Sequence, residues 1–183
     1  MKHILMAVSG PAGVGKGTIV KTLIKRRNDV VESVSCTTRA PREGEVDGTH
    51  YFFLTKEEFI KRIEEKDFLE YDEHFGNYYG TPRSFVEKTL EEKSVILEID
   101  VVGALNVKKV FPEIVLVMIA PPSVEELKRR LIGRGSEDEA SLKTRLSRLE
   151  YELSQKDKYD YYIVNDDLET AIAEVESILD GRK

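Results

Sequence analysis

The stretch AVSGPAGVGKGTIV, residues 7–20, constrains the fold more than any other part of the chain. It nearly fits the phosphate-cradling pattern G-x-x-x-x-G-K-[ST], with Gly10, Gly15 and Lys16 in place. Such a loop needs a strand before it and a helix after it, because the N–H groups that wrap a phosphate belong to a helix N-terminus. Both flanks are present. Residues 3–9, HILMAVS, are a short apolar run that reads as a buried parallel strand. A helix is expected from Lys16 to about Arg27, with Val20, Leu23 and Ile24 on its buried face. The pattern departs from its usual form at Gly17, where a Ser or Thr hydroxyl normally meets magnesium. The hydroxyl comes one residue late, on Thr18. Backbone groups of Gly13 through Thr18 would wrap a β-phosphate, and Lys16 would reach the β/γ oxygens as a point charge.

The remaining chain alternates between strand and helix signals. Residues 30–38 favour an extended segment, and 39–53 read as a turn-rich loop entering a short strand. Thr55 and Glu58 stand at capping-box spacing before a helix. FLEYDEHF and NYYGTP read as strand and loop, followed by a helix from about Arg83 to Glu92. SVILEID (94–100), EIVLVMIA (113–120) and YYIVND (161–166) complete four core strands. Ser123 with Glu126, and Ser136 with Glu139, cap two further helices, the second running to about Lys158. A last helix near 168–180 stops at Gly181. This order predicts an α/β fold with a parallel sheet flanked by helices. The polar segment of about 35–90 reads as a small mixed insertion beside a core of about 1–34 and 91–183.

At 183 residues the chain suits one such domain. Its net charge of −6 argues against a nucleic-acid partner, since phosphate neutralisation needs a basic face. The apolar run IVLVMIA, 114–120, is too short to span a bilayer, so no membrane partner and a cytoplasmic location are expected. Cys36 is the single cysteine and cannot form an internal disulfide. Phosphate binding must therefore come from local cations. Arg39 and Arg42 lie three apart in the insertion, and Arg134 precedes the long helix. Arg145 and Arg148 flank that helix's stripe of Leu142, Leu146, Leu149 and Leu153. Taken alone, such an arginine pair is a solvated flank. Beside a P-loop it offers forked donors for a phosphoryl group. Glu98 and Asp100 end a core strand at the edge where α/β folds bind ligands. They could orient magnesium waters or accept hydrogen bonds from a substrate base. His3, His50 and His74 show no pairing pattern.

The stretches GPAGVGKGT, SVSCTTRAPREGEVDGTHYFF, GNYYGTP, LEIDVVGA, IGRGSEDE and DYYIVNDDLETA, in that order, resemble guanylate kinase in its bacterial housekeeping form. The resemblance runs over essentially the whole chain. It implies a P-loop NTPase-type sheet with a GMP-binding insertion and a helical lid at about 127–150. The implied reaction is ATP + GMP giving ADP + GDP with Mg2+, with dGMP as a further acceptor. It also implies that Gly10, Pro11, Ala12, Gly13, Val14, Gly15, Lys16, Gly17, Thr18, Arg134 and Asn165 contact ATP. Arg39, Arg42, Tyr51 and Tyr79 would bind the GMP phosphate, and Ser35, Glu70, Thr81 and Asp100 would read guanine. Lys16, Arg39, Arg134 and Arg145 would serve catalysis, Arg145 also touching GMP. The ion would be held mainly through phosphates and water, with Thr18, Glu98 and Asp100 as protein contacts. The chain departs from the family's common pattern at Ala12, Glu98 and Val102, where Ser, Asp and Gln are usual.

The chemistry agrees. Guanine presents N1–H and an N2 amino group, and a carboxylate such as Glu70 accepts from both, whereas adenine would leave it unpaired. The attacking GMP oxygen is already anionic near neutral pH, so no general base is needed. One rival is a kinase for another acceptor, such as AMP, CMP or a non-nucleotide, against which Glu70, Thr81 and Asp100 argue; the other is a catalytically inactive guanylate-kinase-like scaffold that binds phosphorylated partners. Such a module is expected to lose the P-loop lysine or the lid arginines, and this chain keeps Lys16, Arg134 and Arg145.

Overall fold

The computed structural model describes residues 3–74, 76–132 and 139–181, with side chains at 74, 128, 130–132 and 139–146 outside the description. The elements run β1 (Leu5–Ser9), α1 (Lys16–Arg26), β2 (Val30–Glu32), β3 (Cys36–Thr37), β4 (Phe52–Phe53), α2 (Lys56–Glu64), β5 (Phe68–His74) and β6 (Asn77–Pro82). They continue with α3 (Arg83–Leu90), β7 (Ser94–Glu98), α4 (Val101–Val110), β8 (Val115–Ala120), α5 (Val124–Ile132) and α6 (Glu139–Ser154). A short 3-10 turn (Lys156–Lys158), β9 (Tyr161–Val164) and α7 (Leu168–Leu179) close the chain.

One sheet is all parallel, ordered β2-β7-β1-β8-β9. Its strands alternate between two apolar layers, as a pleat requires. Met6 and Val8 join Ile96, Val117 and Ile119 under α1 and α7, against Val20, Leu23, Ile172 and Val175. Leu5 and Ala7 join Val95, Leu97 and Leu116 under α3 and α4, against Val86, Ala104 and Val107. Burying both faces is what makes these strands continuous apolar runs. On α1, Ile19 is buried with Val20 and Leu23, while Ile24 is only partly buried at the edge of the layer.

The structure corrects two sequence expectations. The extended segment 30–38 divides: β2 becomes a fifth core strand beside β7, and β3 pairs elsewhere. Ser33 N–H donates to Ile96 O at 2.9 Å as the chain leaves the core sheet. NYYGTP is a strand throughout, antiparallel to β5 from His74–Asn77 back to Phe68–Pro82. The second sheet is ordered β4-β3-β6-β5, over a small core of Cys36, Phe59 and Phe68. Its helix α2 carries the expected capping box between Thr55 and Glu58. Ser123 Oγ accepts from Glu126 N–H at 3.0 Å, while the Ser136–Glu139 cap lies outside the described residues. Leu127 of α5 and Leu149 of α6 are buried together. Gly181 follows α7 with a left-handed φ of 66°.

Candidate active site

The loop between β1 and α1 is held by backbone geometry that only glycine tolerates. Gly10, Gly13 and Gly15 have φ of 139°, 83° and 102°. A Cβ on Gly10 would lie 2.1 Å from the Ile119 carbonyl oxygen of β8, and one on Gly15 would lie 2.5 Å from Asn165 Nδ2. That Asn165 amide is buried and donates to Val14 O at 2.8 Å. The structure thus places Asn165 as a brace against the loop's backbone. No side chain caps α1, so its first N–H groups face the loop's concavity. Lys16 Nζ bonds Gly10 O at 2.7 Å and Pro11 O at 3.1 Å. Burial lowers the Lys16 pKa, and the carboxylates of Glu98, Glu152 and Asp100 oppose that shift. Thr18 is exposed on the first turn.

Glu98, at the end of β7, reaches over the start of α1. A Cβ on Gly17 would stand 3.3 Å from both of its carboxylate oxygens. Gly17 therefore leaves room for Glu98 where the usual loop has a hydroxyl. Among the described residues no three His, Cys, Asp or Glu side chains gather as metal ligands. One or two carboxylates beside a phosphate cradle nonetheless suit Mg2+, which keeps several waters and binds through substrate phosphates.

The second group lies where β5 of the second sheet faces α4. Thr81 is buried, and its Oγ1 donates to Glu70 Oε1 at 2.6 Å. Asp100 caps α4, its Oδ1 accepting from Gly103 N–H at 2.7 Å. A Cβ on Gly103 would meet Asp100 Oδ1 at 3.3 Å and Glu70 Oε2 at 3.6 Å, so the two acids converge on one bare stretch of backbone. Burial raises the Glu70 pKa; the Thr81 hydroxyl lowers it and the Asp100 charge adds to the rise. Ser35, Tyr51, Glu70, Tyr79 and Asp100 share the wall of a cavity of about 360 Å³.

Arg39 stands on the insertion's rim. Its guanidinium makes a two-pronged ion pair with Glu45, at 2.8 and 3.0 Å. It lies 5.6 Å from the centre of the Tyr51 ring, which itself packs edge-on against Tyr79 at 6.2 Å between ring centres. The Arg39 hydrogen bonds, then the Arg42 backbone N–H, hold the Glu45 carboxyl down at about 2. Arg42 is exposed on the same loop. Arg39, Arg42, Tyr51 and Tyr79 are thus brought to one rim.

Three cavities meet at Ile99. The P-loop cavity, about 370 Å³, is lined by Gly10, Lys16, Glu98, Asp100, Arg148 and Glu152 among others. A polar cavity of about 300 Å³, including Ser35, Tyr51, Thr81 and Glu98, lies between it and the insertion. Ile99 borders all three. Arg134 and the side chain of Arg145 lie outside the described residues. Glu152, only 5% exposed, was not singled out from sequence. Its spacing four residues after Arg148, inside the Leu149–Leu153 stripe, was the available signal. His50 also lines the middle cavity, its Nδ1 accepting from Val46 N–H at 3.0 Å.

A nucleotide-binding loop, a parallel sheet and a carboxylate-lined second cleft define a P-loop kinase architecture. The sequence profile of the guanylate kinase family matches residues 2–182. Guanylate kinase of Clostridium perfringens (strain SM101) is 55% identical over 183 residues, covering 100% of this chain and 85% of the relative. That of Clostridium acetobutylicum is 52% identical over the same length, with 87% of the relative covered. The crystal structure of guanylate kinase from Anaplasma phagocytophilum is 34% identical, with a TM-score of 0.73 over 98% of this chain and 85% of its own. Shikimate kinase from Bacteroides thetaiotaomicron, 18% identical with a TM-score of 0.54 over 97% of this chain and 98% of its own, shares the fold alone. The chain belongs to the guanylate kinase family and is a nucleotide-binding kinase. Among the described residues no helix is long and apolar enough to cross a membrane.

Proposed function

We propose that the chain transfers the γ-phosphoryl group of ATP to GMP, and to dGMP, giving ADP and the nucleoside diphosphate. The observation that carries this reading is the convergence of Glu70 and Asp100 on Gly103, in a cavity that shares Ile99 and Asp100 with the P-loop cavity. Two acceptors placed together match the N1–H and N2 donors of guanine, with Ser35 and Thr81 completing the base site. Arg39, Arg42, Tyr51 and Tyr79 hold the GMP phosphate on the insertion's rim. Loop residues Gly10 through Thr18 cradle the triphosphate, with Asn165 bracing them.

Catalysis on this reading is positioning and charge neutralisation. The GMP phosphate is the nucleophile, aimed in line at the γ-phosphorus. Lys16 moves from its loop carbonyls to the transferring oxygens, and Arg39, Arg134 and Arg145 add positive charge from the acceptor and lid sides. Thr18, Glu98 and Asp100 would be the protein contacts of a Mg2+ ion held mainly through phosphates and water, and the ion when bound would supply further charge neutralisation. The insertion of about 35–90 and the lid of about 127–150 close over the core of about 1–34 and 91–183, excluding water. The work belongs to cytoplasmic purine recycling, with neither nucleic acid nor membrane as partner.

The test is coupled ADP release with ATP and Mg2+, run with GMP, dGMP, AMP, CMP and UMP, and with Glu70→Ala. Turnover is expected with GMP and dGMP alone. Loss of the Glu70 acceptor should raise KM for GMP roughly 10- to 100-fold, as expected for charged hydrogen bonds. Equal rates with AMP would reject the base assignment. A folded, ATP-binding protein that turns over no acceptor would reject the kinase and favour the scaffold.

A further inference from the structure

Arg148 projects from α6 into the P-loop cavity, yet its hydrogen bonds lead towards the acceptor side. Nη2 donates to Asp100 Oδ2 at 2.6 Å, and Nε donates to Glu152 Oε1 at 3.0 Å. Glu152 is buried one turn further along the same helix. Between them Leu149 is buried against Leu127 of α5. The arginine is therefore held at its root by a buried acid and a packed leucine, and it presents one fork outward. The other oxygen of Asp100 is already committed to capping α4 at Gly103. One carboxylate thus joins α6, α4 and the wall of the acceptor cavity.

We propose that Arg148 is a positioning residue of the acceptor site: through Asp100 it ties helix α6 to the carboxylate pair that faces the GMP base. This rests on the GMP reading above. Glu70 and Asp100 repel one another across Gly103. A guanidinium on the outer oxygen of Asp100 offsets that charge while leaving Glu70 untouched. It also fixes the direction of Oδ2, which the α4 cap alone does not. Seating α6 and organising the base site then support each other. The plainer alternative is a half-exposed ion pair that adds only a little stability. The geometry separates the two readings. The fork sets Nε and Nη2 on different partners within one plane, whereas a lysine restores the charge as a single point without that geometry.

The test is steady-state kinetics of the wild type, Arg148→Met and Arg148→Lys, with GMP and ATP varied in turn, alongside melting temperatures. Arg148→Met should raise KM for GMP roughly 5- to 20-fold, less than the loss of a direct charged hydrogen bond because the residue acts through Asp100. KM for ATP should move less than about 2-fold, and lysine should recover only part of the loss. If the Met variant does not fold, the Lys variant carries the same comparison. An unchanged or lowered KM for GMP would overturn the proposal, the second by making Arg148 a competitor of the base. A rise in KM for ATP alone would assign the arginine to the donor phosphates. Parallel rises in both, with a lower melting temperature, would reduce it to a structural pair. Wild-type protein inactive on GMP would remove the acceptor reading, and this proposal with it.

Discussion

Glu70 is poised against its own fold. Burial and the Asp100 charge both disfavour its ionised form, so its folded pKa lies above the usual carboxylate value. An acid whose pKa is raised on folding weakens the fold as pH rises through the unfolded value towards the folded one. Glu70 is thus a cost at neutral pH that the acceptor site retains. Glu70→Gln should melt no lower than the wild type at pH 7, because the amide oxygen can still accept from Thr81. On the acid side the charged acceptor is lost. KM for GMP in the wild type should climb as pH falls towards the raised pKa, and the Gln variant should lack that climb. The GMP phosphate itself titrates near about 6, but it does so equally for both proteins. Identical acid limbs would show that Glu70 does not read the base. In the sequence, only the family resemblance suggests this proposed role. A lone FLEYDE gives no sign that Thr81, eleven residues on, will bond Glu70, or that Gly103 will bring Asp100 beside it.

At the scale of elements, the P-loop is the best-read part of the chain. Glycine spacing, an apolar strand and an amphipathic helix each point to the same turn, and each depends on local chemistry. The fate of 30–38 is not local. β2 and β3 are short, and the partners that divide them, β7 for one and β6 for the other, lie more than forty residues away. The burial of Glu152 is legible only as far as its place beside Leu149 and Leu153, because the partner of that stripe, Leu127 of α5, is set by packing. The glycine that opens the P-loop carries the sharpest element-level prediction. Gly10→Ala places a Cβ on the Ile119 carbonyl while keeping a φ of 139°. Backbone strain and overpacking together should cost roughly 2–5 kcal/mol. The melting temperature should fall by roughly 5–15 °C for a chain of this length. An unchanged melting curve would mean that the loop does not lean on β8 as described.

At the scale of the whole molecule, the parallel sheet carries the P-loop, and a second sheet packed through β5 against α4 carries Glu70 and Thr81. Arg27 closes the far end, pairing with both Asp29 and Asp180 and so joining the exits of α1 and α7 away from the chemistry. The meeting of three cavities at Ile99 has a consequence for how the reaction begins. Ala12 and Arg148 are exposed on the P-loop cavity, and Tyr71 and Val102 on the cavity beside Glu70, so each cavity borders solvent at residues of its own. Neither nucleotide has to pass through the other's compartment. Initial-rate plots with both substrates varied should intersect, and either nucleotide should bind the protein alone in a calorimeter. A strict requirement for one to arrive first would mean that the two doors are not independent. With independent doors the protein sets no sequence of arrival, and the relative abundance of the two nucleotides decides which is taken up first.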